Sequence, residues 1–355
     1  MPAFEVHHRG VLHQLNLVMV AQFTSQEGDT SVGELQPGET QPGETQPGET
    51  QPGETQPGET QPGETQPGET PPGTDMYSFD PFAQHPFYAR INHSLVQRAI
   101  ARLDAARPKD KPVRVVDLAS GTGAVTQLIL DELEQLGRAA TVIGIEPATV
   151  ALEIARERLR GRAVQFVQGD ADQLACVVTD ADAVFLCNAL HLIPDKPDVV
   201  RKITSVLAPD GFLACNSTFF TGAQTPESER FARRWIRRAF AWLRQHHPDL
   251  HPTHRGQVAA LAWLSADEYV TLLEAQGLQI VERTLEQVQM PLAAVQDIGR
   301  YRLFIAGALP GIPIPLGAEA LAWAAAEAAR ELDVTAVPRI WLQLLAQRQV
   351  NATAP

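Results

Sequence analysis

The 355-residue sequence has only three cysteines, Cys176, Cys187 and Cys215, and none of them at C-x-x-C spacing. A disulfide framework or a thiolate metal site needs paired thiols, so buried, reduced cysteines in a cytoplasmic setting are expected. Long apolar runs are missing as well. The stretch from Val11 to Gln22 is too short and too often interrupted to span a bilayer, and it lacks a basic n-region and a small-residue cleavage site. Basic charge is also scarce: 29 lysines and arginines face 42 acids, for a net charge of −13. Seven of those acids lie in seven uninterrupted Gln-Pro-Gly-Glu-Thr units from Gln36 to Thr70, so the acidic balance says little about the folded part. The remainder is not basic overall, which argues against a nucleic-acid partner.

The repeat has a proline and a glycine in every unit and no apolar side chain, so nothing offsets the entropy cost of ordering it. Residues 1–75 therefore read as a disordered extension, with the repeat at 36–70, and residues 76–355 as the folded domain. Met76 directly follows the repeat tract and precedes Tyr77-Ser-Phe-Asp-Pro-Phe. That position predicts that residues 1–75 are dispensable for folding and cofactor binding, with the start site at Met76; the alternative is a tether that binds a partner through its first 35 residues.

Beyond Met76, strand and helix patterns alternate, which predicts a doubly wound, mostly parallel sheet with helices on both faces. A helix is expected over Ile91–Ala106. Strands are expected over Arg114–Leu118, Thr141–Ile145, Val164–Val167, Ala183–Cys187, Phe212–Ser217 and Leu278–Val288, with Pro209-Asp210-Gly211 as a turn. Ser265 and Glu268 form a capping box for a helix stopped by Gly277. The stretch Arg339–Gln347 is the next strand candidate. Residues 219–264 and 291–337 then become insertions, and Ala318–Leu332 has strong helix propensity and an apolar face needing a partner.

The densest information lies in Val113–Gly123, where an apolar run ends in Asp117 and breaks into a Gly121-x-Gly123 turn opening an amphipathic helix. The glycines permit a tight turn and close approach to a ligand, and the helix start offers free amides. A dinucleotide fingerprint would need a third glycine where Thr126 stands, and a carboxylate beside a pyrophosphate would repel it. Asp117 instead suits a cofactor with positive charge, such as S-adenosylmethionine. Glu146 ends the second strand, where a carboxylate can accept from both ribose hydroxyls. Asp170 follows the third, placed to accept from an adenine amino group beside the Ala171 amide.

In order and spacing, VVDLASGTG (115–123), IGIEP (143–147), VQGDADQL (167–174), FLCNALHLIPD (185–195) and LAPDGFL (207–213) resemble the class I S-adenosylmethionine-dependent methyltransferases. The resemblance implies a Rossmann-like fold with an antiparallel last strand. It also implies a cofactor site of Asp117, Ala119, Gly121, Gly123, Glu146, Pro147, Asp170, Ala171, Asn188 and Ala189. Ala119 departs from the glycine more usual there. His191 falls where the family often places a histidine near the transferred methyl, and an ordinary imidazole pKa would suit it as a general base at neutral pH. In related enzymes the segment before the first strand folds over the cofactor, which makes Tyr88 the second catalytic candidate among Tyr77, Phe79, Phe82, Phe87, His85 and Asn92. The two insertions would cap the carboxyl edge of the sheet and choose the substrate.

Several chemistries are disfavoured. Asn188-Ala-Leu-His replaces the Asn-Pro-Pro-Tyr type of motif found in enzymes that methylate exocyclic amines of bases or protein glutamine. Asp195 stands without the neighbouring acids a catalytic magnesium needs. His246, His247, His251 and His254 lie in a proline-broken loop without ligand spacing, so no metal is expected. Arg230, Arg233, Arg234, Arg237, Arg238 and Arg244 flank Phe231, Trp235, Trp242 and Leu243 at helical spacing. This reads as an amphipathic cap helix with a solvated basic face, in preference to a basic lid over an acidic or amphiphilic substrate or a membrane-surface contact. The expected activity is methyl transfer to a small-molecule acceptor at oxygen, nitrogen or carbon. The alternatives are a non-catalytic S-adenosylmethionine-binding protein and an NAD-dependent oxidoreductase on a similar fold. Oligomeric state leaves no mark on the sequence.

Overall fold

Val115 and Val116 point into different apolar layers, and this alternation in a strand buried on both sides sets the architecture. The computed structural model describes residues 77–250 and 263–349. The expected disordered extension with its repeat, the start at Met76, and His251 and His254 lie outside the described residues. The strands are β1 (Val113–Leu118), β2 (Ala140–Glu146), β3 (Val164–Gln168), β4 (Ala181–Cys187), β5 (Leu207–Ser217), β6 (Leu278–Pro291) and β7 (Ala336–Arg348). They form one sheet in the order β3-β2-β1-β4-β5-β7-β6. Strands β1 to β5 pair in parallel, and β7 runs antiparallel to both β5 and β6.

Helices α1 (Asp80–Ala83) and α2 (Pro86–Ala106) precede β1. Helices α3 (Ala124–Gln135), α4 (Thr149–Arg158), α5 (Leu174–Val177) and α6 (Lys196–Val206) follow the first four strands. On one face, Leu95, Ala99 and Leu103 of α2 and Ile129 and Leu133 of α3 meet Val115, Ala183 and Phe185. On the other, Val199 and Ile203 of α6 meet Val116, Val184 and Leu186. Helix α2 begins five residues earlier than expected, because Pro86 fits the first helical turn, where its missing amide costs nothing. Strand β5 also begins early. Pro209-Asp210-Gly211, expected as a turn, sits inside it beside a register shift against β4. A Cβ on Gly211 would lie 2.7 Å from the Ala181 carbonyl oxygen, so glycine is what lets the irregular strands approach. Cys187 and Cys215 are buried, but Cys176 is exposed on the short α5, where Leu174 is buried and Val177 packs against the core.

The longest pairing joins β6 and β7, from Leu278 opposite Arg348 to Pro291 opposite Ala336. The β5–β7 pairing stops at Ser217 opposite Leu342, so residues 336–341 overhang the carboxyl edge of the parallel strands. From that overhang rise α9 (Leu292–Arg300), α10 (Arg302–Ala308) and α11 (Ile314–Leu332), while α7 (Pro226–His246) leaves the same edge after β5. The chain then passes through α8 (Ala266–Ala275) into β6, with the Ser265–Glu268 capping box formed. Alanines 320, 324 and 328 of α11 let α7 pack closely, burying Phe231, Trp235, Trp242 and Leu243. The Trp235 indole donates to the Leu321 carbonyl at 2.8 Å, and Arg234 and Arg238 both pair with Glu331 of α11. Trp323, by contrast, stays 40% exposed on the outer side of α11.

Candidate cofactor and acceptor site

The turn after β1 is built from backbone conformations that few side chains tolerate. Gly121 and Gly123 have φ of +55° and +81°, and Ala119 adopts +58° where glycine is the usual solution. The Ser120 amide donates to the Ile145 carbonyl at 3.0 Å, and the Gly121 amide donates to Oε2 of Glu146 at 2.9 Å. Oε1 of Glu146 accepts from the Ala148 amide at 3.0 Å. The acid expected to face a ribose is thus also the clamp that holds the glycine turn against β2. Pro147 next to it is exposed. Asp170 is exposed after β3, and its Oδ1 caps the following turn by accepting from the Asp172 amide at 2.8 Å, while Ala171 is buried. The sheet order places Asp170, Glu146, the glycine turn and Asn188 in sequence along one edge.

Asp117 is buried next to the end of β1, and burial lifts its pKa to about 7, opposed by a hydrogen bond from Thr126. Thr126 occupies the position of a third dinucleotide-fingerprint glycine, and its Oγ1 donates to Oδ2 of Asp117 at 2.6 Å. Asp117 also adds to the upward push on the Cys187 thiol, so the two groups are neighbours under the turn. At the end of β4, Asn188 takes φ +50°. Its amide donates to the Asn216 carbonyl at 3.0 Å, and its Oδ1 accepts from the Thr218 amide at 3.0 Å. Ala189 behind it is buried.

His191 lies in the short turn Leu190–Leu192, buried and stacked on Phe219 with ring centroids 4.3 Å apart. The expectation of a near-neutral imidazole pKa does not hold. Burial first, and the charge of Lys196 second, push it down to about 3, so the ring is neutral at physiological pH. Tyr88 is buried in α2 against Phe79, Phe82 and Trp341. Burial raises its phenol above the ordinary value, with Cys187 adding to the rise and Asn188 and Asn92 opposing it. The structure therefore brings Tyr88, Asp117, Cys187 and Asn188 together, and neither His191 nor Tyr88 is tuned as a proton acceptor near neutrality.

Sequence reasoning missed two sets of contacts. Asp80 of α1 accepts from Thr122 in the glycine turn and from Arg158 at 3.0 Å, while Arg158 reaches the Thr122 carbonyl at 2.7 Å. This latch pins the segment before β1 onto the turn. Asn92 of α2 accepts from Asn216 at 2.8 Å, tying that helix to the ends of β4 and β5. A polar Asn216 in the otherwise apolar Phe212–Cys215 run was the available signal for this tie. Nothing local marked Asp80 or Arg158.

Four buried polar atoms at this edge have no hydrogen-bond partner among the described residues: Asp117 Oδ1, Ser120 Oγ, Asn188 Nδ2 and His191 Nδ1. Buried polar atoms are ordinarily paired, so a cluster of orphans beside a glycine turn points to a missing ligand. A Cβ on Gly121 would meet nothing within 4 Å, which leaves open space at the turn. An acceptor from a buried carboxylate and a nearby donor suit the ammonium and carboxylate of an amino-acid-like cofactor end. None of the described helices is long and apolar enough to cross a membrane.

Residues 115–211 match a methyltransferase domain family. The chain is 30% identical over 135 residues to a malonyl-[acyl-carrier protein] O-methyltransferase of Halalkalibacterium halodurans, covering 36% of this chain and 48% of that one. It is 32% identical over 121 residues to a 2-phytyl-1,4-naphtoquinone methyltransferase of Synechococcus elongatus, covering 33% and 49%. The chain thus spans about half the length of these curated relatives. Among solved structures, the [4+2]-cyclase SpnF aligns with a TM-score of 0.44 at 20% identity, covering 74% of this chain and 82% of that one. The matched segment and the relatives support a class I S-adenosylmethionine-dependent methyltransferase domain in this chain, and the sheet order agrees with the Rossmann-like fold expected of it.

Proposed function

We propose that this protein transfers the methyl group of S-adenosylmethionine to a small-molecule acceptor. The observation that carries the reading is the cluster of orphaned atoms, Asp117 Oδ1, Ser120 Oγ and Asn188 Nδ2, around a glycine turn with open space beside it. Asp117 would take the cofactor's ammonium, the Gly121–Gly123 turn its methionine backbone, Glu146 its ribose, and Asp170 with Ala171 its adenine. Ala119, Pro147 and Ala189 would line the same groove. The cofactor supplies a methyl already activated by a sulfonium. The protein's task is then to align the acceptor and exclude water.

His191 is held neutral by burial, so its role in this reading is to accept a hydrogen bond from the acceptor through Nδ1 and orient it. Tyr88, equally neutral, would steady Asn188 from below. Such a site favours an acceptor that is nucleophilic at neutral pH or acidic enough to ionise unaided. The relatives act on acceptors as different as a malonyl group on acyl carrier protein and a phytyl-naphthoquinone, so kinship supports the donor side and leaves the acceptor open. The cap built from α7 and α9–α11 rises from the carboxyl edge and would choose it.

The absence of a tuned base at His191 and Tyr88 also favours a second reading, a protein that binds the cofactor without turning it over. Isothermal titration with S-adenosylhomocysteine and, separately, NAD tests the cofactor assignment. A screen of cell extract with methyl-labelled S-adenosylmethionine tests turnover. Heat with NAD and none with S-adenosylhomocysteine would overturn the proposal. Tight cofactor binding with no labelled product would select the second reading.

A further inference from the structure

We infer that Arg339 binds a carboxylate of the methyl acceptor and thereby selects the substrate, an inference that rests on the methyltransferase reading above. Arg339 lies in the overhanging part of β7, opposite Val288, and is buried with no carboxylate partner among the described residues. Its Nε donates to Thr218 Oγ1 at 3.1 Å, and its Nη2 donates to the Thr218 carbonyl at 2.8 Å. These bonds use the side-on edge of the guanidinium. Of its five N–H groups three remain, and two of them point in parallel from the end-on edge formed by Nη1 and Nη2.

The guanidinium sits in a defined neighbourhood. The guanidinium carbon sits 5.7 Å from the ring centroid of Trp263, and Phe219 meets Trp263 edge-on at 6.0 Å. Phe219 in turn stacks on His191. Thr218, the anchor of Arg339, donates its amide to Asn188. Arginine, tryptophan, phenylalanine and histidine thus form one continuous row that ends beside the proposed methionine pocket. A buried cation with only neutral acceptors carries an uncompensated desolvation cost, and burial accordingly lowers the Arg339 pKa to about 10. An anion on the free edge would remove that cost. A single fork of two parallel N–H groups matches the two oxygens and one charge of a carboxylate, and the aromatic row offers a flat platform for a ring attached to it.

The test uses the full chain saturated with S-adenosylhomocysteine and titrates it with benzoate, benzamide and phenyl phosphate. Wild type, Arg339→Lys and Arg339→Gln are compared. Benzoate is expected to bind the wild type in preference to both other probes. Both variants should lose at least about tenfold in benzoate affinity, lysine included, because an ammonium lacks the fork. S-adenosylhomocysteine affinity should not change. Equal benzoate binding by Arg339→Gln, benzamide or phenyl phosphate binding as tightly as benzoate, or no benzoate binding to the wild type would each overturn the inference. Should the arginine variants fail to fold, Thr218→Val removes the hydroxyl that accepts from Nε, together with its bond to the Ile340 carbonyl, and keeps the carbonyl that accepts from Nη2. It should weaken benzoate severalfold, and unchanged affinity would count against the inference. Failure of the wild type to bind S-adenosylhomocysteine would instead sink the methyltransferase reading itself.

Discussion

The Thr126 hydroxyl donates to one oxygen of Asp117 at 2.6 Å, while the other oxygen is buried without a partner among the described residues. One satisfied oxygen and one orphan leave the acid poised, its pKa lifted by burial to about 7. If the orphan awaits the cofactor's ammonium, binding must favour the ionised acid and release a proton. S-adenosylhomocysteine affinity should therefore rise between about pH 6 and about pH 8. Asp117→Asn should weaken binding by roughly 1.5–3 kcal/mol and flatten that pH dependence. Calorimetry in two buffers of different ionisation enthalpy measures both. An equally steep profile in Asp117→Asn would remove the role.

The free protein has its own linkage. The folded Asp117 holds its proton to higher pH than the unfolded chain does, so its contribution is full at low pH and lost as pH rises toward about 7. His191 runs the other way. Its pKa is depressed to about 3, so its contribution is full above the ordinary imidazole value and lost as pH falls toward 3. Between about pH 4 and 6.5 the two oppose each other. Relative to the wild type, Asp117→Asn should become more stable with rising pH across that window, and His191→Gln less stable. Urea denaturation at several pH values reads the slopes, and parallel curves for all three proteins would contradict both shifts.

Backbone strain gives a second set of outcomes. Ala119→Gly should raise stability by about 1 kcal/mol, since a left-handed conformation costs a Cβ-bearing residue about that much. Gly121→Val should lower stability through φ +55° alone, since an added Cβ there meets nothing within 4 Å. Gly123→Ala should cost more than Gly121→Ala in melting temperature, because its Cβ would also press on Ala155 at 3.2 Å. The reverse order would mean that the turn can relax.

Glu146 and Asp170 each combine a structural bond with a proposed cofactor contact, and one substitution at each probes them. Glu146→Ala should lower both melting temperature and S-adenosylhomocysteine affinity, because the Gly121 amide loses its acceptor. Asp170→Asn keeps an oxygen for the Asp172 amide and should leave stability within about 0.5 kcal/mol. Its cofactor affinity should still fall by about 1 kcal/mol or more. Affinity unchanged in both variants would remove the ribose and adenine assignments.

Trp235 joins α7 to the rest of the cap through its bond to Leu321 and its stacking on Phe304 at 5.2 Å. Trp235→Ala should cost about 3–5 kcal/mol in stability by opening a cavity. Cofactor affinity in the folded fraction should remain near wild type if the cap serves the acceptor. A matching loss of cofactor affinity, measured under folding conditions, would show that the cap also builds the donor site.

Much of the donor side was written locally. An acid at a strand end, two glycines with positive φ and a helix start are set by neighbours a few residues apart, and such short-range geometry is legible in Asp117, Gly121 and Gly123 without knowledge of the fold. Strand and helix periodicity likewise marked the sheet, because one-sided or two-sided burial imposes its own spacing. Tertiary structure decided the rest. The charge state of His191 depends on how completely Phe219 and the loop exclude water, which no imidazole announces in sequence. The Asp80–Thr122–Arg158 latch joins residues from three elements. Arg339 opens a strand candidate with no local sign of function. It becomes a buried cation without a carboxylate partner among the described residues because β7 inserts between β5 and β6 and overhangs the edge where Thr218 and Trp263 meet it. Local chemistry fixed which cofactor the turn could suit, whereas the meeting of distant chain segments determined what surrounds His191 and Arg339.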